Sequence, residues 1–467
     1  MAQKQPAADP IAEPKKRRRV GFASIDTGVE ASECIKIYLV SSKEEVGTSD
    51  AFSIDPIDLN GFFDDDGKIY GYQGLKITIW VSSISFHAYA DIAFQSSSDG
   101  GKGITDLKST LEKIFAENLV DEKEDFLQTF SNESHYIKNI LSSGEVLQHK
   151  VSNGHISHSN CHLGAEVSDV EVIRMVVGSM PVGHLYSRLI PLVLLLVDGS
   201  NPIDIDDSSW ELYVLVQKKI DHQGDNQYLL LGFAAIYRFY HYPDTLRLRL
   251  SQILVLPPYQ CKGYGRRLLE ALNNVAISEN VYDLTIEEPL DSLQRVRTCI
   301  DTLRLLVFNP IQHAVDSVVL HLKQGKLSKK PHPSQLDPPS SVAEDVRRSL
   351  KINKKQLFQC WEVLIYLGLE PVDKYMENYT SFISDRMKAK IIERDSGSGG
   401  KRLVEVPSNY DQETSFVMFT AQDGEAGIVQ MDENQTNQEE QLQQMVDERV
   451  KEIKSIAQKV SLCRSSN

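Results

Sequence analysis

The sequence predicts a mixed α/β (α+β) protein: a core of alternating strands and helices, a smaller mixed domain before it and a helical domain after it. Three observations predict this. Between about residues 165 and 300 the apolar residues fall in the order strand, glycine turn, amphipathic helix, strand. Earlier, short apolar runs at 34–40, 75–82 and 86–94 are separated by acidic, turn-rich segments such as Asp64-Asp65-Asp66-Gly67. Beyond residue 300 the apolar spacing changes to threes and fours.

A chain of 467 residues exceeds one compact core, so several domains are expected. Residues 1–32 are rich in Pro, Ala and charge and read as a disordered arm. Within it, Pro14-Lys15-Lys16-Arg17-Arg18-Arg19-Val20 reads as a nuclear import signal, with a solvated charge run as the alternative. Nucleus and cytoplasm are the expected locations. Residues 33–160 form the small mixed domain, which leaves through a Ser/His/Asn loop at 151–161.

The core spans 161–300. Residues 183–197 read as a buried helix, and 210–219 and 228–242 as two strands joined antiparallel across His222-Gln223-Gly224-Asp225. After Tyr242-Pro243-Asp244, residues 246–256 form a strand whose first half alternates Leu with Arg and whose second half is wholly apolar. Such a strand is expected to be buried at its far end. An amphipathic helix at 266–278 places Leu268, Leu269, Leu272 and Val275 on one face, and a further strand follows at 282–287.

The helical domain, 301–394, carries helices at 343–367 and 372–393. Asp395-Ser396-Gly397-Ser398-Gly399-Gly400 reads as a flexible linker, opening an acidic tail over 395–467. That tail ends in a helix at 439–460 with Leu442, Met445, Val446, Val450, Ile453, Ile456 and Val460 on one stripe. Two readings of the stripe stand side by side: it packs back on its own domain, or it binds another protein.

The net charge of −15 argues against a general nucleic-acid binder and suits a basic substrate. Six cysteines without a CxxC pair point to free thiols in a reducing, intracellular compartment. The longest apolar run, 189–197, contains Pro191 and is about half of the ~20 residues a membrane helix needs, so no membrane span is expected. His155, His158, Cys161 and His162 lack zinc-site spacing and a second ligand pair; they read as a polar loop, and no metal is expected.

Gln260-Cys261-Lys262-Gly263-Tyr264-Gly265 lies between the buried strand and the amphipathic helix, where backbone N–H groups and the positive helix end can meet a pyrophosphate. A side chain at Gly263 or Gly265 would hold phosphate oxygens off the backbone, and these positions favour dihedrals that glycine takes cheaply. The later strand ends in Thr285-Ile286-Glu287-Glu288-Pro289, and the proline turns the chain out of the sheet just beyond two carboxylates. A lysine amine of pKa ~10.4 is about one part in a thousand neutral near pH 7.4, so freeing it costs ~4 kcal/mol, and a carboxylate base can take that proton. A solvated strand end is the alternative reading of the acidic pair.

The turn resembles the [QR]-x-x-G-x-[GA] signature of the GNAT acetyltransferases, which implies a GNAT core holding acetyl-CoA as co-substrate. In that fold the preceding strand splays from its neighbour and pairs with the pantetheine arm, and Ile253, Leu254 and Val255 match that place. Tyr242-Pro243-Asp244, the strand Ser251-Gln252-Ile253-Leu254-Val255-Leu256, the turn and Glu287-Glu288-Pro289 follow in the order found in the type B histone acetyltransferase catalytic subunits. Ile203-Asp204-Ile205-Asp206-Asp207 and Gly71-Tyr72-Gln73-Gly74-Leu75-Lys76 add to the resemblance, which covers about 34–390.

The resemblance implies Glu287 as catalytic base with Glu288 beside it, where aspartate is usual, and Asp198 in the place of a second catalytic glutamate. It implies coenzyme contacts from Gln260, Cys261, Lys262, Gly263, Tyr264, Gly265 and Arg266, and it raises one from Arg297. Leu290 and Val296-Arg297-Thr298 depart from the family pattern. Cys261 is not read as a nucleophile, because the family transfers acetyl directly and no His is suitably placed in sequence. The implied acceptor is a lysine in the N-terminal tail of free histone H4, met by Asp65, Asp66, Trp210, Tyr237, Arg238 and Phe239; an ordinary acidic turn is the alternative for 64–66. A β-propeller histone-binding subunit is the implied partner. Two other functions compete: a GNAT enzyme acting on another protein or a polyamine, and a catalytically silent histone escort.

Overall fold

The computed structural model describes residues 27–48, 51–57, 59, 61–63, 67–147, 170–197, 199–220, 226–324, 336–369, 373–399 and 431–465. These form two compact units, Met1–Ser134 with Arg188–Pro202 and His135–Ser187 with Ile203–Asn467.

In the first unit, β1 (Val29–Glu30) leads into α1 (Ala31–Cys34) and pairs with β4 (Lys68–Ile69). Its main sheet has the order β3 (Phe52–Ile54), β2 (Ile35–Val40), β6 (Lys76–Ser82), β7 (Ala88–Ala93), β9 (Leu119–Val120), and β5 (Tyr72–Gln73) pairs with β8 (Ser96–Ser97) at the side. Helices α2 (Leu107–Phe115) and α3 (Lys123–Asn132) complete it. Asp106 caps α2 by accepting from the Ser109 N–H at 3.1 Å, satisfying an N–H that the helix itself cannot. A small core gathers Val40, Trp80, Phe126 and Phe130, with Tyr38 stacked on Trp80 at 4.7 Å.

The second unit is built on a six-stranded sheet in the order β10 (Glu145–Leu147), β11 (Val170–Val176), β12 (Trp210–Ile220), β13 (Asn226–His241), β14 (Thr245–Val255), β15 (Leu284–Ile286). Every pairing is antiparallel except β14 with β15, which a crossover through α6 (Tyr264–Ser278) makes parallel. Helix α4 (Tyr136–Leu141) precedes the sheet, and α5 (Met180–Leu196) joins β11 to β12. Leu268, Leu269, Leu272 and Val275 of α6 are buried against Ala234, Ile236, Leu248 and Leu250, so the apolar helix stripe covers one face of the sheet.

A β-bulge interrupts β14. Ala235 pairs with Gln252 but Ile236 pairs with Leu250, so Ser251 is an extra residue. Its effect is to switch parity: Leu248 and Leu250 face α6 before it, Ile253 and Val255 after it. Beyond the bulge Leu254 on the opposite face is buried as well, so both faces are covered there, and Leu-Arg alternation gives way to a continuous apolar run within one strand.

The helical part differs from the sequence reading in two places. The stretch 343–367 is two helices, α9 (Ser340–Leu350) and α10 (Lys354–Gly368), after α7 (Asp291–Leu306) and α8 (Asn309–Gln324). Lys351 turns left-handed with φ 59° to end α9, and the Asn353 side chain starts α10 by accepting from the Gln356 N–H at 2.9 Å. Second, α11 (Asp373–Gly399) continues through most of the stretch read as a linker. The tail helix, α12 (Met431–Ser465), packs within the same unit: Val446, Val450, Ile453, Ile456 and Val460 are buried with Trp361 and Tyr379. Arg449 of α12 meets the buried Glu362 of α10 at 2.7 Å. Of the two readings of the stripe, the first is the one realised.

Candidate active site

One side of the candidate site is set by what β14 lacks. β15 pairs with it only from Leu248 to Leu250, and one further bond, Glu287 N–H to the Leu250 carbonyl at 2.9 Å, closes the ladder. From Gln252 to Val255, β14 remains paired to β13 on one side, while no strand pairs with its other edge among the described residues. A strand edge that no further strand covers, as at Ile253 to Val255, is a template for an extended ligand. Leu254 is buried, and Ile253 and Val255 lean on the α6 core, so what these residues present along that edge is backbone.

Beyond Val255 the chain makes a short 3-10 turn, Pro257–Tyr259, and reaches the glycine turn. Gln260 folds back to donate its Nε2 to the Val255 carbonyl at 2.9 Å, and Lys262 lies over the Tyr259 ring at 5.7 Å. Gly263 is the residue before α6, with φ 85°, and no side chain caps it. The first-turn N–H groups of α6, from Tyr264, Gly265 and Arg266, therefore end the helix without a capping side chain. A Cβ on Gly263 would meet nothing within 4 Å, and one on Gly265 only Val255 Cγ2 at 3.8 Å. Protein packing thus does not require glycine at these two positions. The positive φ does at Gly263, and at both the open space leaves the amides approachable by an anion. Cys261 is exposed and also left-handed, with φ 60°. Arg266 turns along the helix to Glu270, Nε to Oε1 at 2.7 Å, with Nη1 3.7 Å from Cys463 Sγ of α12.

The other side of the candidate site lies at the end of β15. Glu287 is half exposed and receives two partners: Ser251 Oγ donates to Oε2 at 2.7 Å, and Arg249 Nη1 lies 3.8 Å from Oε1. Glu288 is exposed with φ 32°, a left-handed backbone that turns the chain before Pro289. On the sheet face opposite α6, Trp210 packs edge-on to Tyr237 at 4.9 Å, Tyr237 meets Phe239 at 4.4 Å, and Arg249 covers Phe239 at 4.3 Å. The register explains this assembly, since Trp210 pairs with Tyr237 and Tyr237 with Arg249. An aromatic floor therefore runs by way of Arg249 to the carboxylate.

Arg238 is not on that floor. Strand alternation turns it to the α6 face, where it donates to Glu211 at 3.1 Å and to Glu279 at 2.8 Å. Arg174 meets the same two carboxylates at 2.5 Å each, and Tyr213 donates to Glu211 at 2.9 Å. Burial alone raises the Glu279 pKa, but Arg174 and Arg238 outweigh it and hold the group below its ordinary value. Arg297 is buried too, donating to the Leu284 carbonyl at 2.8 Å with Asp301 nearby, so it faces the core and not a ligand. Ser251 and Arg249 went unassigned from sequence, although two Arg and one Ser inside an otherwise apolar strand were the available signal. Asp198, Asp65, Asp66, the basic heptapeptide and the His155 to His162 cluster lie outside the described residues.

Residues 27–198 match the family described as "Histone acetyl transferase HAT1 N-terminus", and residues 200–296 the "Acetyltransferase (GNAT) family". The chain is 58% identical over 466 residues to the histone acetyltransferase type B catalytic subunit of Arabidopsis thaliana, covering 99% of this chain and 98% of that one. It is 49% identical to the protein of that name from Zea mays, over 96% and 94% of the two chains. A Dictyostelium discoideum type B catalytic subunit is 27% identical over 64% of this chain and 59% of its own.

Proposed function

This chain belongs to the type B histone acetyltransferase catalytic subunits, acetyl-CoA-dependent acyltransferases with a GNAT domain, and on that premise we propose that it acetylates lysines in the N-terminal tail of free histone H4 with Glu287 as general base. The single observation that carries the base assignment is the place of Glu287, beside Ser251 where β15 stops pairing with the edge of β14. An acyl carrier lying along that edge, with its pyrophosphate at the uncapped start of α6, brings its thioester toward this carboxylate.

The chemistry is a direct transfer. Glu287 takes a proton from the lysine ammonium, the freed amine attacks the thioester carbonyl, and as the C–N bond forms and the C–S bond breaks the second proton on nitrogen passes to the departing sulfur, so that the coenzyme leaves as its thiol and the product is the neutral amide. Offsetting the ~4 kcal/mol needed to free the amine is the base's task. Glu288, and Asp198 as a second acid, are assigned supporting roles. Trp210, Tyr237 and Phe239 supply an apolar floor for the aliphatic lysine stem, while Asp65, Asp66 and the overall charge of −15 favour a basic tail. The partner proposed from the resemblance is a β-propeller histone-binding subunit. The proposed locations are nucleus and cytoplasm, with Lys15 to Arg19 as import signal.

The test is acetyl transfer by the full chain from acetyl-CoA to an H4 tail peptide, beside other basic peptides and polyamines, with sites mapped by mass spectrometry. A clear preference for H4 lysines is the expected result. Faster acetylation of polyamines or unrelated peptides overturns the acceptor assignment and leaves the acyltransferase class intact. Deleting residues 15–19 from a tagged copy is expected to abolish nuclear entry, and unchanged entry removes the import role.

A further inference from the structure

We propose that Ser251 and Arg249 are positioning residues for the acyl transfer: the bulge in β14 exists in the site to aim a hydroxyl and a guanidinium at the two oxygens of Glu287. The inference rests on the reading of Glu287 as the base. Its grounds are geometric. Ser251 is the extra residue that opposes no single partner on β13, and bulges re-aim side chains where a strand meets an active site. Here the re-aimed hydroxyl donates to Oε2 at 2.7 Å, while Arg249 stands 3.8 Å from Oε1.

Arg249 is itself held, because its guanidinium lies over Phe239 at 4.3 Å. The aromatic floor and the base are thus linked through one side chain, and an acceptor seated on the floor meets a carboxylate of fixed orientation. A carboxylate on a turn bounded by Pro289, with a half-exposed side chain, would otherwise sample several rotamers. Two partners, one on each oxygen, leave the outward lone pairs for the incoming amine. Arg249 is the cation within 4 Å of Glu287 among the described residues, and Glu288 is the neighbouring acid on its own segment. The arrangement orients the base; neither Ser251 nor Arg249 is assigned a contact with the reacting atoms.

The test uses the full chain with acetyl-CoA and an H4 tail peptide, measuring kcat and both KM values for Ser251→Ala, Arg249→Met and their conservative counterparts Ser251→Thr and Arg249→Lys. Each disruptive variant is expected to lower kcat about tenfold, with the KM for acetyl-CoA changed less than about twofold, because misplacing a reacting group by an ångström costs up to ~10²-fold. Ser251→Thr and Arg249→Lys are expected to recover most of the rate, and melting temperatures to stay near the parent's. The decisive arm repeats both disruptive changes in a Glu287→Gln background, where they are expected to cost nothing further, since residues acting as a unit are not additive. Undiminished kcat in Ser251→Ala and Arg249→Met, or full additivity with Glu287→Gln, overturns the positioning role. A parent-like rate in Glu287→Gln alone overturns the base reading itself and this inference with it, so the two failures are told apart.

Discussion

Two arginines on neighbouring strands, Arg238 of β13 and Arg249 of β14, each face a glutamate, and they do opposite work. Arg238 points to the α6 face, where Glu211 is 4% exposed and is shared with Arg174 and Tyr213. Arg249 points to the other face, where Glu287 is 50% exposed and keeps room for another partner. A buried carboxylate saturated by two guanidiniums and a phenol has no capacity left for a substrate; its charge must be matched inside the protein. A half-open one with a single hydroxyl bond and a distant cation contributes little to stability and retains capacity for chemistry. The lesson is that the same residue pair is read as structural or functional from its saturation and exposure.

The sharpest way to break this contrast is to exchange the effects. Glu211→Ala removes the buried carboxylate that Arg174 and Arg238 share, and should destabilise the fold by ~3–5 kcal/mol in denaturant titrations. The protein that remains folded should keep its kcat; a lost kcat with unchanged stability would place the closed network in catalysis. Glu287→Gln is expected to do the reverse, slowing acetyl transfer about 10²-fold or more with almost no change in melting temperature. Parent-like turnover in that variant would end its assignment as base.

The pH dependence of stability sharpens the same comparison. Glu279 in the closed network has a folded pKa below its ordinary 4.5, so its contribution is present above that pH and is lost as pH falls through the depressed value. Arg238→Ala removes one of the two causes and should flatten the acid side of the stability curve. An acid limb unchanged by Arg238→Ala would mean the network carries no such linkage. The smallest effect concerns the coenzyme side. Gly263→Ala forces a side chain into φ 85°, at roughly 1 kcal/mol, and is expected to raise the KM for acetyl-CoA more than it lowers kcat. An unchanged KM would remove that turn from coenzyme binding.

Much of this architecture was legible in one dimension, and the residues show why. The glycine turn, the stripe on α6 and the hairpin of β12 and β13 depend on neighbours within a few positions, so local spacing carries their signal. The break between α9 and α10 was missed because the apolar spacing continues across it, and only the left-handed Lys351 and the Asn353 cap mark the end. The apolar stripe of α12 is ambiguous for a related reason: amphipathicity reports that a face is covered and not by what. Arg238 was grouped with Tyr237 and Phe239 because they are consecutive, although alternation along a strand separates them.

By itself the sequence determined the order of strand, glycine turn and helix, the family, and an acid pair ahead of a proline, since each is written in adjacent residues. Only the tertiary structure decided that Ser251 is an extra residue, that Arg249 and not Arg238 meets Glu287, and that the tail helix completes its own unit. The physical reason is register: which strand edge is left unpaired, and which face a side chain takes, depends on pairing between segments that lie tens of residues apart.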